Sequence, residues 1–178
     1  MLSSKGKERA ADLAVFGGSP AFEDALYVGR PNLGDRRLFL QRVNTVLDRR
    51  WLTNHGPFAH EFEQRIQRRT RVEHAVAVCN ATVGLEILAR ALDLSGEVIV
   101  PAFTFIATAH AFRWLGLTPV FCDVDPCTHN IDPLQVEPLI TPRTSAIVGV
   151  HLWGRSCEVG ALESLARRHG LKLIFDAA

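Results

Sequence analysis

TSAIVGVHL at residues 144–152, CEVGALESLARRHG at 157–170 and LKLIFD at 171–176 read in succession as strand, helix and strand. The two outer stretches are short, nearly continuous apolar runs, the pattern of strands covered on both faces of a parallel sheet. The stretch between them closes on Gly170, a residue suited to the left-handed end of a helix. Parallel strands joined through a helix place the chain in the α/β class.

Outward from this unit the alternation continues. HAVAVCN predicts a strand near 74–79, and TVGLEILARALDL a helix with Leu85, Leu88, Ala89 and Leu92 facing inward. EVIVP predicts a strand at 97–101, FTFIATAHAFRWLG a helix ending at Gly116, and PVFCDVD a strand near 118–123. Asp132 and Pro133 supply an N-cap and a first-turn proline for a short helix through Leu139. With further strands at 144–151 and 171–176, the expected fold is three-layered: a mostly parallel sheet with helices on both faces. Before residue 73 the chain is different. Leu38, Leu40, Val43, Val46, Leu47 and Leu52 are spaced as on a helix, NHGP forms a turn, and Phe58, Phe62 and Ile66 mark the expected buried stripe of a second helix opened by Pro57. The expected segments are an arm at 1–30, a helical lead-in at 31–72 and the α/β portion at 73–178.

Composition narrows the function classes. Hydrophobic residues make up 47% and charged residues 22%, as in ordinary globular chains. No apolar run is long enough to cross a bilayer, and MLSSKGKERAADLAVF lacks the apolar block of a signal peptide, so a cytoplasmic protein without a membrane partner is expected. Residues 1–72 carry 13 Lys or Arg against 8 Asp or Glu, and residues 73–178 carry 7 against 11. The basic excess includes Arg65, Arg68, Arg69 and Arg71, on a helix where Glu61 and Arg65 form an i,i+4 pair. No aromatic residues interleave with them, so no nucleic-acid partner is expected. Cys79, Cys122, Cys127 and Cys157 contain no CxxC pair and are expected as buried, reduced thiols rather than zinc ligands.

Several residues with chemical capacity follow directly on strands, at the edge where parallel sheets bind ligands. In Cys79-Asn80-Ala81-Thr82-Val83-Gly84 a helix begins, and its free N–H groups with the Thr82 hydroxyl suit a phosphate; helix capping by Asn80 or Thr82 is the competing reading. No GxGxxG or GxxxxGK[ST] is present. In Pro101-Ala102-Phe103-Thr104-Phe105, and Thr108 beyond it, Phe105 is placed either to cover a planar ligand or to pack in the core. Asp176 ends an apolar strand, where a carboxylate must be solvated or paired. Asp123, Asp125, His151 and Trp153 reach the same edge; Asp125-Pro126 also makes an ordinary turn, and no ligand spacing supports a metal.

Together, WLTNHGPFAHEFEQRI, HAVAVCNATVGLEI, PAFTFIATAHA, PVFCDVDP, AIVGVHLWG and LIFDAA, in this order, resemble the DegT/DnrJ/EryC1/StrS family of pyridoxal-phosphate sugar aminotransferases of fold type I. The resemblance covers roughly residues 28–178. It implies an aspartate aminotransferase-like large domain and pyridoxal 5'-phosphate as cofactor. Thr82 and the N–H of Val83 match the phosphate-holding part, Phe105 the aromatic that stacks on the pyridine ring, and Asp176 the aspartate that pairs with the ring nitrogen. Trp51, Thr53 and Gly56 match a region beside the substrate and the dimer interface. Ala81 stands where the family commonly has Gly.

The resemblance also implies an amino-acid donor such as glutamate, a nucleotide-linked keto-sugar acceptor, and a homodimer in the full-length protein with the 28–60 region near the interface. The family's cofactor-binding lysine follows the DAA segment, so the resemblance reads this chain as a truncated large domain without the C-terminal small domain, and no catalytic residue is assigned within it. Lys172, four residues before Asp176, is a poor substitute. The same scaffold serves sugar dehydratases with histidine in place of that lysine, and a non-catalytic homologue is the third reading.

Overall fold

The computed structural model describes residues 7–178 except Glu23, Leu26 and Val28; the parts of the expected arm at 1–6, 23, 26 and 28 lie outside the described residues. The chain divides into two compact units, Met1–Pro57 and Phe58–Ala178. In the first, 3-10 turns at Ala10–Asp12 and Ala14–Phe16 precede helix α1, Arg36–Arg49. Asp35 caps α1 by accepting the Leu38 N–H at 3.0 Å. The predicted helix forms, but its leucines and valines are largely exposed.

Helix α2 (Pro57–Thr70) leads into α3 (Ala81–Ala91), β1 (Glu97–Pro101), α4 (Ala107–Trp114), β2 (Thr118–Cys122), α5 (Pro133–Val136), β3 (Thr144–Val150), α6 (Val159–His169) and β4 (Lys172–Asp176). The four strands form one parallel sheet in the order β2-β1-β3-β4. Residues 144–150 and 172–176 thus share a sheet, as the sequence predicts. Side chains alternate across it with the two-residue period of a strand. Val98 and Val100 of β1, Ala146 and Val148 of β3 and Ile174 of β4 pack with Leu85, Ala89 and Phe112 of α3 and α4. Ile99 and Ile147 face the other way, toward Val136, Leu162, Leu165 and Ala166 of α5 and α6. Helices therefore cover both faces, and β1 is buried along its whole length.

Several expectations need correction. Leu88, expected to face inward on α3, is 44% exposed, and only Leu85 and Ala89 of that helix are buried. Residues 74–79 are extended but form no strand: among the described residues no neighbouring strand supplies a ladder, and the Ala77 N–H instead donates to Glu63 Oε1 of α2 at 2.9 Å. Val76 is left 77% exposed, because an apolar run becomes a strand only where another backbone pairs with it. On α2, Phe62 is 55% exposed rather than part of a buried stripe, although Glu61 and Arg65 pair at 3.4 Å as the sequence predicts. Of the four cysteines, Cys122 and Cys157 are buried while Cys79 and Cys127 are exposed, in a segment without a strand partner and in a surface turn. Burial, with the charges of Asp132 and Asp123, pushes the Cys122 thiol up to about 12.

Topology creates the functional edge. From β1 the chain passes through α4 to β2 on one side; from β3 it passes through α6 to β4 on the other. Helices α4 and α6 lie on opposite faces, so the loops after β1 and β3 diverge and leave a crevice at the carboxyl ends of these two adjacent strands, the ligand position of open α/β sheets. At the opposite end, Gly96 (φ +70°) approaches Arg143 so closely that a Cβ would lie 2.4 Å from its carbonyl oxygen. This turn brings the buried Glu97 carboxylate to the Thr141 hydroxyl, 2.6 Å away, and to the Arg143 guanidinium. Among the described residues no helix is long and apolar enough to cross a membrane.

The hydrogen bond from Thr141, against the opposing effect of burial and with help from Arg143, holds the Glu97 carboxyl below its ordinary 4.5. A depressed carboxyl contributes stability above its unfolded pKa and loses it as pH falls through the folded value. Denaturant titrations of wild type and Glu97→Gln at pH 7 and pH 3 are expected to show a stability gap that narrows at pH 3. A gap independent of pH would contradict the account.

Candidate cofactor-binding site

A cavity of about 950 Å³ opens in the crevice, walled by Thr82 at the start of α3, Phe103, Thr104 and Phe105 after β1, His151 and Trp153 after β3, and Asp176 at the end of β4. Of the four residues that the resemblance matches to the cofactor, Thr82, Phe105 and Asp176 meet here; Val83 is not part of the wall.

Asp176 is held from three directions. Its carbonyl accepts the His151 N–H at 2.9 Å, which ties the ends of β3 and β4 together. Its Oδ1 accepts the Ala178 N–H at 3.0 Å, and its Oδ2 accepts the hydroxyl of Thr108 at 2.8 Å. Thr108 is 1% exposed, on the buried side of α4. A carboxylate only accepts hydrogen bonds, so the Thr108 proton points to Asp176, and the 3.0 Å contact between the Thr104 and Thr108 hydroxyls is then donated by Thr104. Phe175, next along β4, stacks on His151 with ring centroids 4.9 Å apart. It lies over Gly149, where a Cβ would come within 2.8 Å of its ring. His151 Nδ1 accepts the Cys157 N–H at 3.2 Å, which leaves the proton of the neutral imidazole on Nε2.

Asn80 caps α3: its side-chain oxygen accepts the Val83 N–H at 2.9 Å. The capping reading of the sequence is therefore realised by Asn80, and the Val83 N–H is engaged. The N–H groups of Ala81 and Thr82 have no partner among the described residues, and the Thr82 side chain joins the wall. A helix start with free N–H groups, its positive dipole end and a hydroxyl is suited to a phosphate. Phe105 is 77% exposed on the opposite loop and lines the cavity, so core packing does not describe it. Asp125 makes the ordinary turn: its Oδ1 accepts the N–H groups of Cys127 and Thr128, and the Thr128 bond chiefly holds its carboxyl below the usual range. Lys172 is exposed at the far end of β4, about 13 Å of strand from Asp176.

Sequence reading missed two supports. Asn130 is 4% exposed; its amide donates to the carbonyls of Arg155 and Ser156 at 3.1 and 2.9 Å, and its oxygen accepts the Leu152 N–H at 3.3 Å. It pins the loop that carries Trp153. Thr108 was legible as a position beyond β1, but its partner lies 68 residues away and no local signal reports such a bond. The one available hint was a pair of threonines four apart flanking Phe105.

Removing the Thr108 hydroxyl leaves Asp176 Oδ2 short of a buried donor. Thr108→Val is expected to destabilise the fold by about 1–2 kcal/mol in urea titrations, and Thr108→Ser to keep most of that stability. A loss in Thr108→Ser with none in Thr108→Val would assign the effect to the methyl group instead.

Comparison with known proteins gives the family. The profile of the DegT/DnrJ/EryC1/StrS aminotransferase family matches residues 35–178. The dTDP-4-amino-4,6-dideoxy-D-glucose transaminase of Escherichia coli is 41% identical over 151 residues, covering 85% of this chain and 41% of the relative. A solved structure of DesI in the presence of its TDP-sugar product is 57% identical with a TM-score of 0.86, covering 94% of this chain and 43% of that one. NtdA from Bacillus subtilis, solved with bound cofactor PMP, is 34% identical with a TM-score of 0.75, covering 78% of this chain and 32% of that one. The chain spans about two fifths of the length of the curated relative it matches. With a family match across four fifths of its residues and a fold type I sheet, the chain belongs to the DegT/DnrJ/EryC1/StrS aminotransferase family.

Proposed function

We propose that this chain supplies the pyridoxal-phosphate-holding part of an aminotransferase that moves an amino group from an amino acid such as glutamate to a nucleotide-linked keto sugar. The observation that carries the reading is the meeting of a phosphate-suited helix start, an exposed aromatic ring and a firmly held carboxylate in one cavity. The names of the dTDP-sugar transaminase and of DesI with its TDP-sugar product support the acceptor class, and PMP in NtdA, the amine form of the same cofactor, supports the cofactor.

Each residue has a distinct task. The Thr82 hydroxyl and the first free N–H groups of α3 take the phosphate; the Val83 N–H joins only by sharing its proton between Asn80 and the phosphate. Phe105 covers one face of the pyridine ring and excludes water from it. Asp176 accepts the ring N–H and keeps that nitrogen protonated, while Thr108 and the Ala178 N–H prevent the carboxylate from turning away. When bound, the cofactor supplies an electron sink for proton transfers at the carbon bearing the amino group.

Equilibrium dialysis with pyridoxal phosphate tests this reading. Thr82→Val is expected to weaken binding several-fold and Asp176→Asn by about tenfold or more, as for loss of a neutral and a charged hydrogen bond. No lysine among the described residues lines the cavity, so borohydride should leave no cofactor attached to the 178-residue chain. A reduced adduct at Lys172, mapped by peptide mass spectrometry, would overturn the assignment. The full-length protein is expected to sediment as a homodimer with the 28–60 region near the interface, a reading supported by the exposed leucines of α1; a monomer at micromolar concentration would contradict it.

A further inference from the structure

Phe103, His129 and Trp153 form a closed triangle of rings at the cavity. Their centroids are 5.9, 5.8 and 5.7 Å apart, and each pair meets edge to face. Phe103 and Trp153 belong to the cavity wall, and His129 braces both from outside it. Two of the three occupy unfavourable backbone positions: His129 has φ +61° and Trp153 φ +52°, the left-handed region that side chains disfavour. Such strain persists only where the surroundings impose it. Here both surroundings involve one residue. Asn130 follows His129 directly and clamps the backbone on both sides of Trp153 through three hydrogen bonds. The His129 N–H is fixed in turn by the Asp125 carbonyl at 2.7 Å.

What this arrangement maintains is an indole 78% exposed to solvent. Water gives no reason to hold a large apolar ring outward on a strained backbone. A flat ligand surface does.

We infer that Trp153, braced by Phe103 and His129, is the platform on which the sugar ring of the acceptor stacks. The inference rests on the cofactor assignment above. If the cofactor lies between Thr82 and Asp176, the reacting carbon of the sugar must enter the same cavity, and its ring must lie against a remaining wall. Phe103 and Trp153 are part of that wall, on the loops that follow β1 and β3. The nucleotide, two bridging phosphates further from the reacting carbon, falls outside it. An aromatic face is negative and an aromatic edge positive, so the face attracts C–H groups made positive by neighbouring oxygens. A pyranose presents such groups over one side of its ring, and a hydroxyl-poor sugar presents more of them. The edge-to-face brace holds the indole in place, so little side-chain freedom is lost on binding.

The test is binding of dTDP-6-deoxy-D-glucose, with dTDP alone as a second arm, to protein saturated with pyridoxal phosphate. Calorimetry gives affinity, and saturation-transfer NMR identifies which ligand protons are covered. Trp153→Ala is expected to weaken the sugar nucleotide roughly five- to tenfold, the weight of one good aromatic contact, with dTDP and pyridoxal phosphate affinities unchanged. Trp153→Phe is expected to recover most of the loss, and the sugar-ring protons to give the strongest transfer in wild type. An equal loss for dTDP alone would make Trp153 a nucleobase platform and overturn the inference, as would unchanged sugar-nucleotide affinity in Trp153→Ala or no sugar-nucleotide binding by wild type. Failure of wild type to bind pyridoxal phosphate is read separately, and would defeat the cofactor assignment itself. Circular dichroism of both variants separates these results from unfolding.

Discussion

Burial of β1 and β3 between two helical layers is the constraint on which the structure depends. Val98, Ile99 and Val100 are fully inaccessible, as are Ala146, Ile147 and Val148 beside them. Each large aliphatic side chain removed from water contributes about 1.5–3 kcal/mol, and a strand can bury every residue only if helices cover both faces. Parallel pairing then fixes where chemistry can occur. All four strands end at the same edge, so whatever follows them is collected there without any specific contact having to arrange it. Thr104, Phe105, His151, Trp153 and Asp176 share a cavity for this reason.

Specific hydrogen bonds act at the next level, turning a collection of side chains into an oriented site. Asp176 sits on β4, Thr108 on α4 and His151 after β3, and their mutual bonds tie three elements that hydrophobic packing alone would leave free to slide. Asn130 does the same on the other side of the crevice, where its single amide satisfies two carbonyls and an N–H of the Trp153 loop. Both supports are nearly inaccessible, so their polar atoms are costly to leave unpaired and their geometry is correspondingly strict.

The legible part of the chain was the part governed by local rules. Strand-like apolar runs, Gly170 and Gly116 at helix ends, and the Asp132-Pro133 start all appear where the residues indicate, because each depends on neighbours within a few positions. The 74–79 run failed because strand formation needs a second backbone, which no local pattern guarantees. The stripe of α2 failed similarly: amphipathic spacing predicts which face can be buried, not that something covers it. In the candidate site, Phe105 and Asp176 were readable from their places after strands, and Thr82 from its place at a helix start. The engagement of the Val83 N–H by Asn80 was a matter of which of two adjacent polar side chains took the cap. The Thr108–Asp176 bond and the left-handed turn at Trp153 depend on long-range contacts, which the sequence does not mark.

The two margins of the sheet are chemically unequal. Strand β2 carries Pro119, paired in register with Val98, and so lacks one backbone donor in a run of only five residues. Strand β4, Lys-Leu-Ile-Phe-Asp, keeps every donor and has no strand on its outer side among the described residues. An unpaired, mostly apolar margin with a complete set of donors and acceptors is a template for another chain's backbone, whereas proline blunts it. Among the described residues the two margins thus offer different things to another backbone: an uninterrupted row of donors and acceptors with the charge of Lys172 at its entrance along β4, and a row broken at Pro119 along β2.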